Sequence, residues 1–188
     1  MFEYARARGT FCKWLVRFNA ILADNDHFTG LDRADKFCAD NIRRFHEAQR
    51  PQEMWMKEIR PGVLVGERAT PIDSVALYSP RGKGTFPSMT LMTAIPAVVA
   101  GVPMPIVLTP PGPDGKVDAA TLVAARIAGV KHVYKAGGGQ AVAAAAFGTD
   151  TVPRCAKFEG PGSPWIAAAK RNDMPTVSGT STLLAAEL

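Results

Sequence analysis

The sequence predicts an α/β protein with a doubly wound, Rossmann-like parallel sheet, helices on both of its faces, and a helical segment at the N-terminus. Three observations support this. Short apolar runs alternate four times with Ala-rich helical stretches between residues 74 and 171. Most connections between them are short and contain Gly or Pro. Residues 1–60 are more strongly charged and have helical spacing. Alternating strands and helices with short connections are typical of a parallel sheet.

The N-terminal segment is interpreted as residues 1–60. In "LDRADKFCADNIRRFHEAQR" the apolar residues recur at intervals of three and four, which predicts a helix from about Asp32 to Gln49 that ends before Pro51. Residues 61–188 are interpreted as the α/β domain.

The predicted strands and helices of that domain follow in chain order. The first predicted helix begins at Pro87 and ends at Gly101, and the second has Asp118 as its cap and Gly129 as its stop. The strands are "SVALY" (74–78), "PIVLT" (105–109), "KHVYK" (131–135) and a short one near 156–158; the helices run from Pro87 and Ser88 to Gly101, over 118–129, over 141–148, and after "GPGS". The apolar stretch 89–108 is therefore a helix followed by a buried strand rather than a membrane span.

Composition narrows the possible functions. The chain has 188 residues and a net charge of +5, with its basic residues scattered. Such charge predicts weak attraction for anionic ligands or simply a solvated surface, and it gives no sign of a nucleic-acid tail. Three cysteines without CxxC spacing favour a reducing cytoplasm and predict neither a disulfide framework nor a Cys-based zinc site. His27, His46 and His132 are too isolated to predict a metal site.

Three glycine-containing segments connect predicted strands to helices: "YSPRGKGTFPS" (78–88), "AGGGQ" (136–140) and "GPGS" (160–163). In a doubly wound sheet, ligands bind beyond the carboxyl ends of the strands, and helix N-termini favour anions. Packing explains each turn alone better than a ligand does, and the three together make a nucleotide-sized ligand about as good an explanation as packing. Neither GxGxxG nor GxxxxGK[ST] is present.

Individual side chains in these turns have two interpretations. Tyr78, Arg81 and Lys83 could contact a base, a ribose or phosphates, while the two basic residues could equally be surface charges. Gln140 opens a helix after three glycines and could reach a ribose or a nicotinamide amide, or serve as a helix cap.

Four stretches of the chain resemble the histidinol dehydrogenase family. They are "NIRRFHEAQ" (41–49), "IRPGVLVGERATPIDSVALYSPRGKGTFPSMTLMTAIPAVVAGV" (59–102), "TPPGPDGKVDAATLVAARIAGVKHVYKAGGGQAVAAAAFGTDTVPR" (109–154) and "KFEGPGSPWIAAAKR" (157–171). The resemblance covers roughly residues 40 to 171 and implies oxidation of L-histidinol to L-histidine, in histidine biosynthesis, by two hydride transfers to NAD, with zinc holding the substrate.

The resemblance also implies roles for particular residues. Tyr78 and Gln140 take the places of the family's NAD-contacting tyrosine and glutamine, and Ser163 takes the place of the Asn in the family's GPGN turn, a third NAD contact. Ser181 lies in a weaker match, "SGTSTLLAAEL", and is expected to bind substrate.

The family's zinc ligands and its catalytic Glu-His pair are expected beyond the end of this chain, so we expect no catalytic or metal-binding residue within it and an incomplete nucleotide-binding domain. Three functions stay open: an oxidoreductase acting on histidinol or a related amino alcohol, a nucleotide-binding module without turnover, and a fragment without function of its own.

A homodimer is implied by the family, with no nucleic acid or membrane partner. Without a second domain packed on the sheet, Trp165 and the helix face from Ile166 to Ala169 are expected to be exposed.

Overall fold

A parallel sheet of four strands forms the centre of the molecule. The computed structural model describes residues 28–82 and 84–173. Within them the chain runs α1 (Phe28–Ala48), β1 (Met54–Arg60), β2 (Val63–Arg68), β3 (Ser74–Tyr78), α2 (Pro87–Val99), β4 (Met104–Thr109), α3 (Ala119–Ala128), β5 (His132–Lys135), α4 (Gly138–Phe147), β6 (Lys157–Glu159) and α5 (Pro164–Asp173). The sheet order is β5-β4-β3-β6, and every neighbouring pair is parallel.

Helices cover both faces of this sheet, which confirms the predicted fold class. Successive side chains of a strand point to opposite faces. Val75 and Leu77 of β3 therefore pack in a core with α1, α2 and α3, whereas Ala76 and Tyr78 pack in a second core with α4 and α5. β4 alternates in the same way, because Val107 belongs to the first core and Ile106 to the second.

The ends of α3 are set by the residues that the sequence suggests. The Asp118 carboxylate accepts a hydrogen bond from the backbone N–H of Thr121 at 3.1 Å, and Gly129 ends the helix with a left-handed φ of 94°. Such a cap satisfies a backbone donor that has no partner inside the helix. The apolar stretch 89–108 divides into α2 and β4, as predicted.

Residues 54–68 form an antiparallel hairpin, so the prediction that the segment up to residue 60 is helical is wrong for Met54–Arg60. The strands β1 and β2 are joined by Pro61 and Gly62, the latter with a φ of 78° that favours glycine. The carboxylate of Glu58 accepts a hydrogen bond from the Gly62 N–H at 2.7 Å and fixes this turn. The division of the chain at residues 60 and 61 stays a prediction.

Every residue of the hairpin is exposed, although many of its side chains are apolar. The indole N–H of Trp55 donates to the carboxylate of Glu67 across the strands at 3.3 Å. An isolated two-stranded hairpin is only marginally stable in water.

Candidate functional site

The order in which strands are added to the sheet reverses beside β3. The chain passes from β3 to β4 and β5 on one side and then returns to place β6 on the other side of β3. Such a reversal opens a crevice beyond the carboxyl ends of the two strands that flank it, and ligands of open α/β sheets bind in this crevice. Here the crevice lies between the segment that follows Tyr78 and the segment that follows Glu159.

The turn after β6 lies close against the end of β3. Gly160 has a φ of 124°, and a Cβ at this position would overlap the backbone carbonyl of Tyr78 and lie 3.0 Å from its backbone nitrogen. A Cβ on Gly162 would meet the side chain of Ile166 at 2.5 Å. Only glycine fits both places, so the Gly-Pro-Gly turn is required by the close packing of backbone at the crevice.

Tyr78 is the last residue of β3 and its side chain belongs to the second core. It is only 5% exposed, and its ring stacks on that of Phe158 with a centroid distance of 5.8 Å. No hydrogen bond to its hydroxyl is found in the part of the chain that the structure describes. The ring is therefore held by packing, and its small exposed part is what a ligand in the crevice could contact.

Gln140 is exposed in the first turn of α4. The helix is preceded by Gly137, and no side chain caps its N-terminus. The side-chain oxygen of Gln140 lies over Gly138, which has a left-handed φ of 68°. The cap interpretation of Gln140 is therefore wrong, and its amide is available to a ligand.

The glycine-rich segment before Gln140 differs from the prediction in one respect. Gly138 and Gly139 form the first turn of α4 instead of a separate turn before a helix at Ala141. The reason is packing between helices: a Cβ on Gly139 would lie 3.6 Å from the Cβ of Ala169, in ordinary contact. The N-terminus of α4 is thus held beside α5, and this contact brings Gln140 to the same side of the sheet as the turn after β6.

Ser163 immediately precedes α5 and is exposed. Its backbone carbonyl accepts a hydrogen bond from the N–H of Ala167 at 3.1 Å, and Pro164 begins the helix. Proline suits the first position of a helix because its missing N–H would have had no partner there. The Ser163 hydroxyl makes no hydrogen bond within the described ranges, so it can face a ligand at the helix N-terminus.

The loop after β3 contacts the loop after β4 through Arg81. Its guanidinium lies against Gly112, close to the carboxylate of Asp114, and the side chain is half-buried. Arg81 thus joins two loops at the carboxyl edge of the sheet and is more than a solvated surface charge. Lys83 and Ser181 lie outside the described residues.

Lys170 is a residue of this site that the sequence reasoning missed. Its ammonium donates a hydrogen bond to the carbonyl of Gly160 at 3.3 Å and lies 5.7 Å from the centroid of the Phe158 ring. Burial lowers the pKa of Lys170; the neighbouring charges oppose each other, Glu159 raising and Lys157 lowering it. One sequence signal could have identified it: Lys170 follows the buried Ile166 by four residues, which places both on one helix face.

The expected exposure of α5 is only partly confirmed. Trp165 is 80% exposed, as expected, but Ile166 is 2% exposed and packs in the second core. The helix therefore presents one buried face to the sheet, and Trp165 points away from it.

Of the two histidines that the structure describes, neither belongs to the loops at the carboxyl edge of the sheet. His132 is the first residue of β5, at the amino edge of the sheet, and His46 lies in the last turn of α1. Across residues 28–82 and 84–173, no three or more His, Cys, Asp or Glu side chains come together in a way that could hold a metal ion. The described residues therefore do not fit a zinc site.

None of the helices within residues 28–82 and 84–173 is both long and apolar enough to cross a bilayer.

Comparison with known proteins gives a consistent result. The family model described as histidinol dehydrogenase matches residues 27–180. A histidinol dehydrogenase homolog of Rhizobium meliloti (strain 1021) is 68% identical over 137 residues, which is 73% of this chain and 30% of that protein. The histidinol dehydrogenase of Methanosarcina barkeri (strain Fusaro / DSM 804) is 52% identical over 135 residues, 72% of this chain and 31% of that protein.

A solved structure agrees with the sequence matches. The crystal structure of histidinol dehydrogenase from Elizabethkingia anophelis superposes with a TM-score of 0.76 at 34% identity, covering 85% of this chain and 36% of that one. The chain thus spans about a third of the length of the relatives that it matches.

Proposed function

The chain belongs to the histidinol dehydrogenase family, and on that premise we propose that the crevice between β3 and β6 binds NAD for an oxidoreductase of this family. The observation that carries the proposal is the reversal of strand order beside β3, with Gly160 packed against the backbone of Tyr78. In doubly wound sheets, dinucleotides bind beyond the strand ends at such a reversal.

Three residues would contact the cofactor. We expect these contacts from the small exposed part of Tyr78 at the end of β3, the exposed amide of Gln140 in α4 and the exposed hydroxyl of Ser163 before α5. Each of these polar groups makes no hydrogen bond within the described part of the chain. The free N–H groups at the N-termini of α4 and α5 would attract the pyrophosphate.

The reaction proposed for the whole protein is the oxidation of L-histidinol, an amino alcohol, to L-histidine in histidine biosynthesis, in the cytoplasm. Bound NAD would accept the hydride, and bound zinc would polarise the alcohol. The residues of the crevice would bind and orient the cofactor. Ser181, which lies outside the described residues, would bind the substrate, and zinc would be held by other residues of the whole protein. A homodimer is proposed as well, and the exposed apolar side chains of β1 and β2 support contact with another polypeptide.

Nucleotide binding without turnover is the second candidate function. The position of the histidines favours it, because oxidation of an alcohol needs a base to accept the hydroxyl proton. Within the described residues, His132 begins β5 at the amino edge of the sheet and His46 lies in the last turn of α1.

A binding titration tests the proposed cofactor site. NAD is titrated into the purified chain by calorimetry, with Gln140→Ala and Tyr78→Phe as variants and Gln52→Ala, an exposed glutamine before β1, as the matched control. Loss of one hydrogen bond should weaken binding about three- to tenfold in each site variant. The control should bind like the unaltered chain, and equal binding by all four proteins would contradict the assignment.

A turnover assay separates the two candidate functions. NADH formation is followed by absorbance with L-histidinol, NAD and added zinc. Turnover supports the dehydrogenase, whereas NAD binding without turnover in folded protein supports the second candidate.

A further inference from the structure

Lys170 reaches back along α5 toward the beginning of the helix. Side chains on a helix point toward its N-terminus, so a lysine in the second turn can reach the segment that precedes the helix. The ammonium of Lys170 accordingly lies 3.3 Å from the carbonyl oxygen of Gly160, ten residues earlier. The helix and the turn that introduces it are thereby joined by a hydrogen bond that the helix itself does not provide.

The same ammonium contacts the aromatic pair beneath the crevice. It lies 5.7 Å from the centroid of Phe158, within the range in which a cation is attracted to an aromatic face. Phe158 stacks on Tyr78, and Gly160 packs against the backbone of Tyr78. The ammonium of Lys170 therefore lies beside both the Phe158 ring and the Gly160 carbonyl, and both of these residues pack against Tyr78 at the end of β3.

The position of Lys170 is unfavourable for a lysine whose only role is to make the protein surface soluble. The side chain is half-buried, and its desolvation disfavours the charged form. The carboxylate of Glu159 is the nearby opposite charge, but it pairs with Lys157 at 3.8 Å. Arg171, the next residue of the helix, is exposed and shows the ordinary arrangement of a surface cation.

We propose that Lys170 is a positioning residue of the cofactor site: its ammonium holds the carbonyl of Gly160 and so keeps the turn Gly160–Ser163 in the conformation that admits NAD. The effect on the turn is a property of the chain by itself, whereas the effect on NAD rests on the proposed function. Ser163 acts on the ligand directly, and Lys170 acts through the turn that carries Ser163.

Three variants of the full chain test this proposal. Lys170→Met keeps most of the apolar stem and removes the ammonium, and Lys170→Arg restores a cationic donor. Arg171→Met removes the same charge from the adjacent exposed position and is the matched control. Hydrogen exchange of a peptide covering Phe158–Ser163 reports on the turn, calorimetric titration with NAD reports on the site, and thermal unfolding reports on the whole domain.

In Lys170→Met we expect exchange of this peptide to accelerate about tenfold while the melting temperature stays close to that of the unaltered chain. The dissociation constant for NAD should rise about tenfold, Lys170→Arg should recover most of both effects, and Arg171→Met should change neither. Should Lys170→Met fail to fold, Lys170→Leu, which also lacks a hydrogen-bond donor, replaces it in the same comparison.

Unchanged exchange in Lys170→Met would overturn the proposal, whatever happens to binding. Faster exchange with NAD binding equal to that of the unaltered chain would overturn the link to the site. Absence of NAD binding by the unaltered chain would instead contradict the proposed function, and the exchange data would still decide whether Lys170 holds the turn.

Discussion

The backbone carbonyl of Tyr78 lies directly against the α-carbon of Gly160, in the place that a side chain would occupy. Two strands distant in sequence therefore meet at their carboxyl ends with nothing between their backbones. This contact closes the floor of the proposed cofactor crevice, and it depends on the absence of a single methyl group.

Gly160→Ala should destabilise the chain by about 3 kcal/mol or more, because it adds backbone strain at a φ of 124° to overlap with the Tyr78 carbonyl. Gly101→Ala is the matched control: Gly101 has a φ of 78°, but no atom lies within 4 Å of the added Cβ. The control should cost only about 1–2 kcal/mol, the strain alone. Urea denaturation measures both, and equal losses would show that the contact with Tyr78 is unimportant.

Replacing Ser163 tests the proposed contact at the start of α5. Asn and Ser are similarly good residues before a helix, so Ser163→Asn should leave the unfolding free energy within about 0.5 kcal/mol of its original value. The longer amide should reach the ligand better and tighten NAD binding about threefold, whereas Ser163→Ala should weaken it by a similar factor. Calorimetric titration measures the two constants, and the idea fails if Asn and Ala change binding in the same direction.

Cys155 should make stability depend on pH under alkaline conditions. Burial raises the pKa of its thiol from 9.0 to about 11. Between these values the unfolded chain loses the proton and the folded chain keeps it, so stability is fully present below about pH 9 and falls as pH rises toward 11. The loss is at most about 1.4 kcal/mol per pH unit.

Comparing the chain with Cys155→Ala isolates this contribution. The pKa of Cys38 is also raised to about 11, by burial and by the charge of Asp35, but Cys38 is present in both proteins and its effect cancels. The difference in urea midpoints between the two proteins should be constant from pH 7 to 8.5 and should shrink above pH 9. A constant difference up to pH 10.5 would mean that the folded thiol ionises normally.

Removing the Asp118 cap should weaken α3. Its carboxylate accepts hydrogen bonds from the N–H and the hydroxyl of Thr121, so Asp118→Ala should cost about 1 kcal/mol. Asp150→Ala is the control, since that exposed aspartate belongs to no helix. Chemical denaturation decides: similar losses in both variants would show that charge, rather than the cap, is responsible.

Much of the sheet could be predicted because its signals are local. "SVALY" is a run of apolar residues bounded by polar ones, and it forms β3 with the predicted bounds. Asp118 and Gly129 mark the ends of α3 by their own chemistry, and both predictions are confirmed. The conformation at these positions follows from local chemistry: the side-chain cap of Asp118 and the left-handed φ of Gly129.

The features that were missed depend on contacts between distant residues. Gly138 and Gly139 are poor helix formers, yet they begin α4, where Gly139 lies beside Ala169 of α5. The ammonium of Lys170 meets Gly160 only once α5 lies on the sheet. The hairpin had a local signal in Pro61 and Gly62 between two runs rich in β-forming residues, but the charges among those residues favoured the helical interpretation.

The position of β6 has a consequence for the order in which the domain is assembled. The Ser74 hydroxyl accepts a hydrogen bond from the N–H of Ala156, 82 residues later, at 2.9 Å. Closing so long a loop is slow compared with pairing consecutive strands, so β3, β4 and β5 can associate while β6 is still absent. During synthesis, the crevice comes into existence only after residue 163 has left the ribosome. A cofactor that binds there would therefore stabilise the finished domain and none of its precursors.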